Sequence, residues 1–258
     1  MRVNAWTKCL AGVNSVKEQL NGKVAVVTGA GRGIGEAMVL ALANAGAHVV
    51  ATARSGPELE ALVDRIRQSG ANGLAVPADL TQEADVERLR TAALDRYGRV
   101  DILINNAGVG KYGPLSSLSA ADYDWMMNTN MRSSFLCTAA FLPGMLERRQ
   151  GWIVFVASVA GLKGLPHESV YCASKFAQIG FAQALDYETR EQGVKVSVIA
   201  PGGVHTTFAF GTGRTEDDPR LTGMMAAEDV AEAVLFAVTQ PEKVRVFMVG
   251  MRPMSEPL

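Results

Sequence analysis

The stretch Lys23-Val-Ala-Val-Val-Thr-Gly-Ala-Gly-Arg-Gly-Ile-Gly35 decides the fold, because it joins a β-branched run to a glycine-rich turn and a helix start. Residues 23–28 are typical of a parallel strand that is buried on both faces. The glycines at 29, 33 and 35 permit a tight turn and close approach of a ligand to the backbone. A helix that begins there directs its first N–H groups at an anion. The stretch therefore predicts a strand–turn–helix unit that holds a pyrophosphate.

The same alternation of strand and helix continues to the end of the chain. Further strands are predicted at 48–53, 74–78, 101–104, 152–156, 195–199 and 244–249. Helices are predicted at 34–45, 58–69, from an N-cap at Thr81 to 97, and at 120–148, 170–192 and 227–238. Repeated units of this kind with short connections form a parallel sheet covered by helices on both faces. We expect a doubly wound, Rossmann-like α/β domain with seven parallel strands over residues 22–258, after a tail of residues 1–21.

Composition excludes several functions. The 258 residues are 48% apolar and 20% charged, which is typical of a globular protein. The net charge of -1 gives no attraction to nucleic acid, and no apolar run approaches the ~18 residues of a membrane span. Three cysteines without Cys-x-x-Cys spacing predict free thiols, and no ligand spacing predicts a metal. The N-terminus lacks the apolar core of a signal peptide, so we expect a cytoplasmic protein.

Two long loops should border a ligand site. Residues 108–119 and 201–225 follow the fourth and sixth strands. Ligands of open parallel sheets bind beyond the carboxyl ends of the strands, where both loops begin. The second loop has the composition of a lid over a substrate, and its Arg214 and Arg220 could hold a substrate carboxylate or be solvated.

The end of the second strand bears on the choice of dinucleotide. An acidic residue there usually accepts hydrogen bonds from an adenosine ribose 2′-hydroxyl. This strand ends at Ala53 and is followed by Arg54, with Arg32 able to reach the same corner. Arginine binds phosphate through charge-assisted bonds, so the pair favours NADP(H) over NAD. A solvated loop arginine is the alternative interpretation of Arg54.

Tyr171-Cys-Ala-Ser-Lys175 places a phenol and an ammonium one turn apart on one helix face. We expect the cation to favour the phenolate and so to lower the pKa of Tyr171. Ser158, at the end of the fifth strand, can reach the same rim and donate to a carbonyl oxygen. These residues are candidates for proton transfer to a carbonyl.

The sequence resembles the short-chain dehydrogenase/reductase family from about Gly22 to Val249. The resemblance rests on ordered motifs, namely the glycine turn at 28–35, Asp79, Asn105-Asn-Ala-Gly108, Asn130, Ser158, Tyr171 with Lys175, and Pro201-Gly202. It implies an oxidoreductase that transfers a hydride between NADP(H) and a carbonyl or alcohol, assembled as a homodimer or homotetramer.

The resemblance also implies residue roles. Tyr171 would be the general acid or base, with Ser158 polarising the substrate oxygen. Lys175 would hold the nicotinamide ribose and lower the pKa of Tyr171, and Asn130 would hold a water of a proton relay. The implied cofactor-binding residues are Gly29, Gly31, Arg32, Gly33, Ile34, Gly35, Arg54, Asp79, Leu80, Asn106, Ala107, Gly108, Tyr171, Lys175, Pro201, Gly202, Val204 and Thr206.

Within the family, the body of the chain is similar to 3-oxoacyl-acyl-carrier-protein reductases, which makes 3-oxoacyl thioesters on carrier protein or coenzyme A the leading substrate class. Arg149 matches a carrier-docking position, but Gln192 stands where a second arginine would be expected. The C-terminus instead resembles NADP-dependent 3-hydroxy acid dehydrogenases and related carbonyl reductases. A non-catalytic, NADP-binding sensor or scaffold is the alternative outside enzymes.

Overall fold

The computed structural model describes residues 19–256, in which seven strands form one parallel sheet. The strands are β1 (Val24–Thr28), β2 (His48–Ala53), β3 (Gly73–Pro77), β4 (Ile102–Asn105), β5 (Gly151–Val156), β6 (Val194–Pro201) and β7 (Met248–Met251). Their order is β3-β2-β1-β4-β5-β6-β7, and every neighbouring pair is parallel. The predicted doubly wound sheet is therefore confirmed, with its topological switch point between β1 and β4.

Helices cover both faces of the sheet. They are α1 (Gly33–Asn44), α2 (Gly56–Gln68), α3 (Glu83–Tyr97), α4 (Ala120–Met127), α5 (Ser133–Glu147), α6 (Ser169–Thr189) and α7 (Ala227–Val238). Alternate residues of β1 face opposite layers, Ala25 and Val27 toward α1, α2 and α7, and Val24 and Val26 toward α3, α5 and α6. Burial on both faces explains why this strand is a continuous apolar run.

The helix predicted at 120–148 is interrupted. A π-helical turn at Asn128–Arg132 separates α4 from α5. The turn places Asn130 so that its amide nitrogen donates to the carbonyl of Val109 and to the hydroxyl of Ser174, both at 2.9 Å. Its amide oxygen accepts the Val109 N–H at 2.8 Å. The extra residue of the π-helical turn therefore lets Asn130 hydrogen-bond to the loop after β4. Single π-helical turns within α-helices are frequent at functional sites.

Two other predicted boundaries are wrong. Thr81 does not cap α3, which begins two residues later, because its hydroxyl donates to the Asp79 carboxylate at 2.8 Å. The last strand begins at Met248 rather than 244, because side chains of β6 hydrogen-bond to the backbone carbonyls of the preceding segment. The Lys195 ammonium donates to the carbonyls of Pro241 and Val244, at 2.8 and 2.6 Å.

The last three residues of the predicted tail, 19–21, lie within the described part of the chain. Leu20 is buried in the layer under α1, and its N–H donates to the carbonyl of Ala45 at 2.9 Å. Leu20 therefore packs with the sheet, and residues 1–18 lie outside the described residues. Within 19–256, no helix has the length and hydrophobicity to span a membrane, and no group of potential ligands is arranged to hold a metal.

The turn after β1 predicts a specific stability defect. A methyl group on Gly35 would lie 2.0 Å from the carbonyl oxygen of Gly29, which is backbone that cannot rotate away. Gly35→Ala should therefore lower the free energy of unfolding by at least about 2 kcal/mol in urea titration. The control is Gly180→Ala in α6, where a methyl group meets nothing within 4 Å. It should be neutral or gain up to about 1 kcal/mol, and equal effects at both glycines would contradict the packing described here.

Candidate active site

A cavity of about 650 Å³ opens at the carboxyl ends of the strands. The two long loops meet beside it, where the Tyr112 N–H donates to the Thr212 carbonyl at 2.8 Å and the Thr212 hydroxyl donates to the Gly110 carbonyl at 2.7 Å. Nearly all the predicted site residues line it, namely Gly29, Gly31, Arg32, Gly33, Ile34, Gly35, Arg54, Asp79, Leu80, Asn106, Ala107, Gly108, Ser158, Tyr171, Lys175, Pro201, Gly202, Val204 and Thr206. Asn130 does not line it, because it is fully buried behind the wall.

The glycine turn fits an anion. Gly29 and Gly33 have φ values of 64° and 56°, a left-handed conformation that favours glycine. The N-cap residue of α1, Arg32, provides no side-chain acceptor for the first N–H groups of the helix. These groups and the helix dipole at the cavity edge suit the pyrophosphate of a dinucleotide.

The turn is fixed by one buried hydroxyl. Thr28 accepts the N–H groups of Asn106 and Ala107, both at 2.9 Å, and donates to the carbonyl of Ile104 at 3.1 Å. The Asn106 amide donates in return to the Thr28 carbonyl at 2.8 Å. The ends of β1 and β4 are therefore tied together at the floor of the cavity.

The part of the cavity that we expect to hold the adenosine is lined by both predicted arginines and by one carboxylate that the sequence analysis missed. Arg32, Arg54 and Glu58 all line this part of the cavity. A methyl group on Gly31 would lie 2.9 Å from Oε2 of Glu58, which places the carboxylate against the glycine turn. Glu58 lies in the first turn of α2 rather than at the end of β2, so the usual position of an acidic ribose ligand does not reveal it.

Ser158 and Tyr171 meet at the inner end of the cavity. Ser158 follows β5, and its hydroxyl accepts the Ala160 N–H at 3.1 Å. The Tyr171 ring contacts those of Tyr112 and Phe208, with ring centroids at 5.6 and 5.9 Å. Burial raises the pKa of Tyr171 above its usual value, and a hydrogen bond with Ser158 opposes that rise.

The expected lowering of the Tyr171 pKa by Lys175 is therefore wrong for the protein by itself. The Lys175 nitrogen lies 5.8 Å from the centre of the Tyr171 ring, and desolvation of the phenol outweighs any influence of this cation. Burial also lowers the pKa of Lys175, to about 7. A phenol that keeps its proton at neutral pH can serve as a proton donor.

Lys175 is held by neutral groups. Its ammonium donates to the Val156 carbonyl at 3.1 Å and to the amide oxygen of Gln178 at 2.9 Å. The Gln178 amide nitrogen donates to the Asn130 carbonyl at 2.8 Å and to the Ser134 hydroxyl at 2.9 Å. Gln178 is fully buried and was missed, although a glutamine beside Ile179 on the apolar face of a helix is a signal of a buried polar network.

The cavity is also lined by residues that the sequence analysis did not select. Tyr112, Trp125, Leu165 and Phe208 provide apolar and aromatic walls, and Glu168 adds a carboxylate. Of the two arginines predicted in the lid, Arg214 lines the cavity. Arg220 does not, because its guanidinium pairs with Asp218.

Comparison with known proteins identifies the family. The short chain dehydrogenase model matches residues 23–217. The chain is 37% identical over 239 residues to a sepiapterin reductase from Chlorobaculum tepidum, with 90% of this chain and 96% of that protein covered.

Two solved structures show the same fold. A metagenomic short-chain oxidoreductase in complex with NADP is 32% identical, with a TM-score of 0.80 over 93% of this chain and 100% of that one. A short-chain dehydrogenase/reductase from Burkholderia phymatum in complex with NAD is 33% identical, with a TM-score of 0.81 over 90% and 89% of the two chains. The chain thus belongs to the short-chain dehydrogenase/reductase family of oxidoreductases.

Proposed function

We propose that this protein is an NADP(H)-dependent reductase of small, free ketones, which oxidises the corresponding alcohols in reverse. The observation that carries the proposal is the presence of an anion-binding glycine turn and of Ser158, Tyr171 and Lys175 in one cavity. A non-catalytic scaffold has no need of a buried phenol and lysine beside a cofactor site.

NADP(H) is favoured over NAD by two arginines beside the glycine turn and the end of β2. Arg32 and Arg54 both line the cavity, together with the carboxylates of Glu58 and Asp79, and paired arginines suit a 2′-phosphate through charge-assisted bonds. A structural relative binds NADP, whereas another binds NAD. The cofactor-binding residues that the family resemblance implies would hold it along one wall of the cavity.

The chemistry divides between cofactor and protein. When bound, the nicotinamide supplies or accepts the hydride. Ser158 donates a hydrogen bond to the substrate oxygen and stabilises the charge that develops there. Tyr171 transfers its proton to that oxygen during reduction and removes it during oxidation. Lys175 holds the nicotinamide ribose, and Asn130 fixes the Val109 backbone that borders it.

Free ketones are preferred to the carrier-bound 3-oxoacyl groups that the sequence suggested. Arg149, the remaining docking candidate, lacks the second arginine expected for carrier docking, because Gln192 occupies that position. The Arg149 guanidinium already donates to the Glu191 carbonyl at 2.7 Å. The relative named for a small-molecule substrate, the sepiapterin reductase, supports the same choice.

Removal of the phenolic hydroxyl tests the proposed function. Tyr171→Phe should lower kcat for the best ketone by about 10²–10⁴-fold, because general acid catalysis contributes about that much. NADPH binding, followed by its fluorescence, should persist. Tyr187→Phe, at an exposed tyrosine on α6, is the matched control and should keep full activity. Full turnover by Tyr171→Phe would contradict the mechanism.

Reversal of charge at Arg54 tests the cofactor assignment. Arg54→Asp should shift the ratio of kcat/KM for NADPH over NADH toward NADH by about tenfold or more, because a charge-assisted bond to the 2′-phosphate is lost. Arg96→Asp, at an exposed position in the last turn of α3, should leave the ratio as in the wild type. An unchanged ratio in Arg54→Asp would remove Arg54 from the phosphate site.

Gln178 should set the pH dependence of cofactor binding through Lys175. Because the Lys175 pKa is lowered to about 7, the ammonium is lost as pH rises through that value, and NADPH affinity should fall. Gln178→Glu places a carboxylate beside the ammonium, raises the Lys175 pKa and should move this fall to higher pH. Gln178→Leu removes an acceptor and should move it to lower pH.

The measurement is the NADPH dissociation constant from about pH 6 to 9. Gln183→Glu, exposed on the same helix, is the control and should follow the wild type. Superimposable profiles for all four proteins would show that Gln178 does not position Lys175.

A further inference from the structure

The cavity contains a carboxylate without a partner of its own. Glu168 lies immediately before α6 and one helical turn before Tyr171, and it lines the cavity. Among residues 19–256, no side-chain hydrogen bond and no ion pair within 4 Å engages its carboxylate. Burial raises the pKa of Glu168, because the carboxylate gives up part of its hydration at this position.

The nearest opposite charge does not neutralise Glu168 by contact. Arg214 lines the same cavity and acts on Glu168 through space, but the two do not form an ion pair within 4 Å in the described structure. The Arg214 guanidinium has one long hydrogen bond, to the Val204 carbonyl at 3.5 Å. The cavity therefore presents a carboxylate and a guanidinium that do not contact each other. A polar group of a ligand can bind to either one.

Aromatic and apolar side chains line the same cavity as these charges. Tyr112 and Phe208 both contact the Tyr171 ring, and Trp125 and Leu165 extend the lining. Aromatic side chains favour stacking or edge contact with a planar ligand. A planar ketone that accepts hydrogen bonds from Tyr171 and Ser158 would share this cavity with Glu168, which lies one helical turn before Tyr171.

We propose that Glu168 determines substrate specificity by selecting planar ketones that carry a cationic or N–H-donating nitrogen. This inference rests on the proposed reductase function and names its substrate class. A nitrogen donor would form a hydrogen bond with the Glu168 carboxylate. An apolar substituent of the same size would desolvate the carboxylate without a compensating hydrogen bond. A polar site of this kind rejects an isostere that lacks the donor.

Two isosteric ketones provide the test. 4-(Aminomethyl)acetophenone and 4-ethylacetophenone differ in one ammonium against one methyl group. The wild type with NADPH should prefer the amine by at least about tenfold in kcat/KM, the discrimination expected for a charged hydrogen bond. Glu168→Gln should reduce this preference at least about tenfold, and its kcat/KM for the ethyl ketone should rise because an amide is easier to desolvate.

The matched control is Glu147→Gln, at an exposed position at the end of α5, which should keep the wild-type preference. A wild-type ratio near one, or an unchanged ratio in Glu168→Gln, would overturn the inference. Reduction of other ketones but of neither probe would overturn it as well and leave the proposed function standing. Failure to reduce any ketone with NADPH would overturn both.

Discussion

The buried hydroxyl of Thr28 determines how the ligand-binding edge of the sheet is built. The hydroxyl donates one hydrogen bond to the backbone of β4 and accepts two from the residues that follow this strand. These three bonds use its full hydrogen-bonding capacity. This holds the ends of β1 and β4 together at the switch point, where the following segments turn to opposite faces of the sheet. The glycine turn and the Asn106–Gly108 segment consequently lie against each other at the floor of the cavity, and the helix α1 directs its N-terminus into it.

The reactive end of the cavity depends on burial rather than on paired charges. Lys175 is 3% exposed and its direct partners are a carbonyl and the Gln178 amide, so it is close to losing its proton at neutral pH. Tyr171 is buried as well and retains its proton. A neutral phenol beside an easily deprotonated lysine is suited to delivering one proton to the oxygen of a carbonyl that receives a hydride. Gln178 and the π-helical turn join Lys175 to the loop after β4, so this lysine and that loop belong to one hydrogen-bonded unit.

Much of this arrangement was predictable because it depends on local patterns. Apolar runs marked all seven strands, and parallel topology then required Ser158, Tyr171 and the glycine turn to meet at one edge. The π-helical turn at Asn128–Arg132 was not predictable, because one inserted residue barely changes a 3.6-residue period. The Tyr171 pKa was predicted with the wrong direction since a neighbouring lysine is visible in the sequence and the degree of burial is not. Gln178 acquires significance only through its contacts with Asn130 and Ser134, and Glu168 only through a cavity that distant parts of the chain enclose.

The most direct test of this account is the oxidation of NADPH, followed by its absorbance, with wild-type protein and a panel of carbonyl compounds. The panel should contain planar free ketones, acetoacetate and acetoacetyl-CoA, each with NADPH and with NADH. We expect turnover of free ketones in preference to the thioester, and with NADPH in preference to NADH. Binding of NADPH without turnover of any carbonyl would contradict the central claim that this cavity is a ketone reductase site.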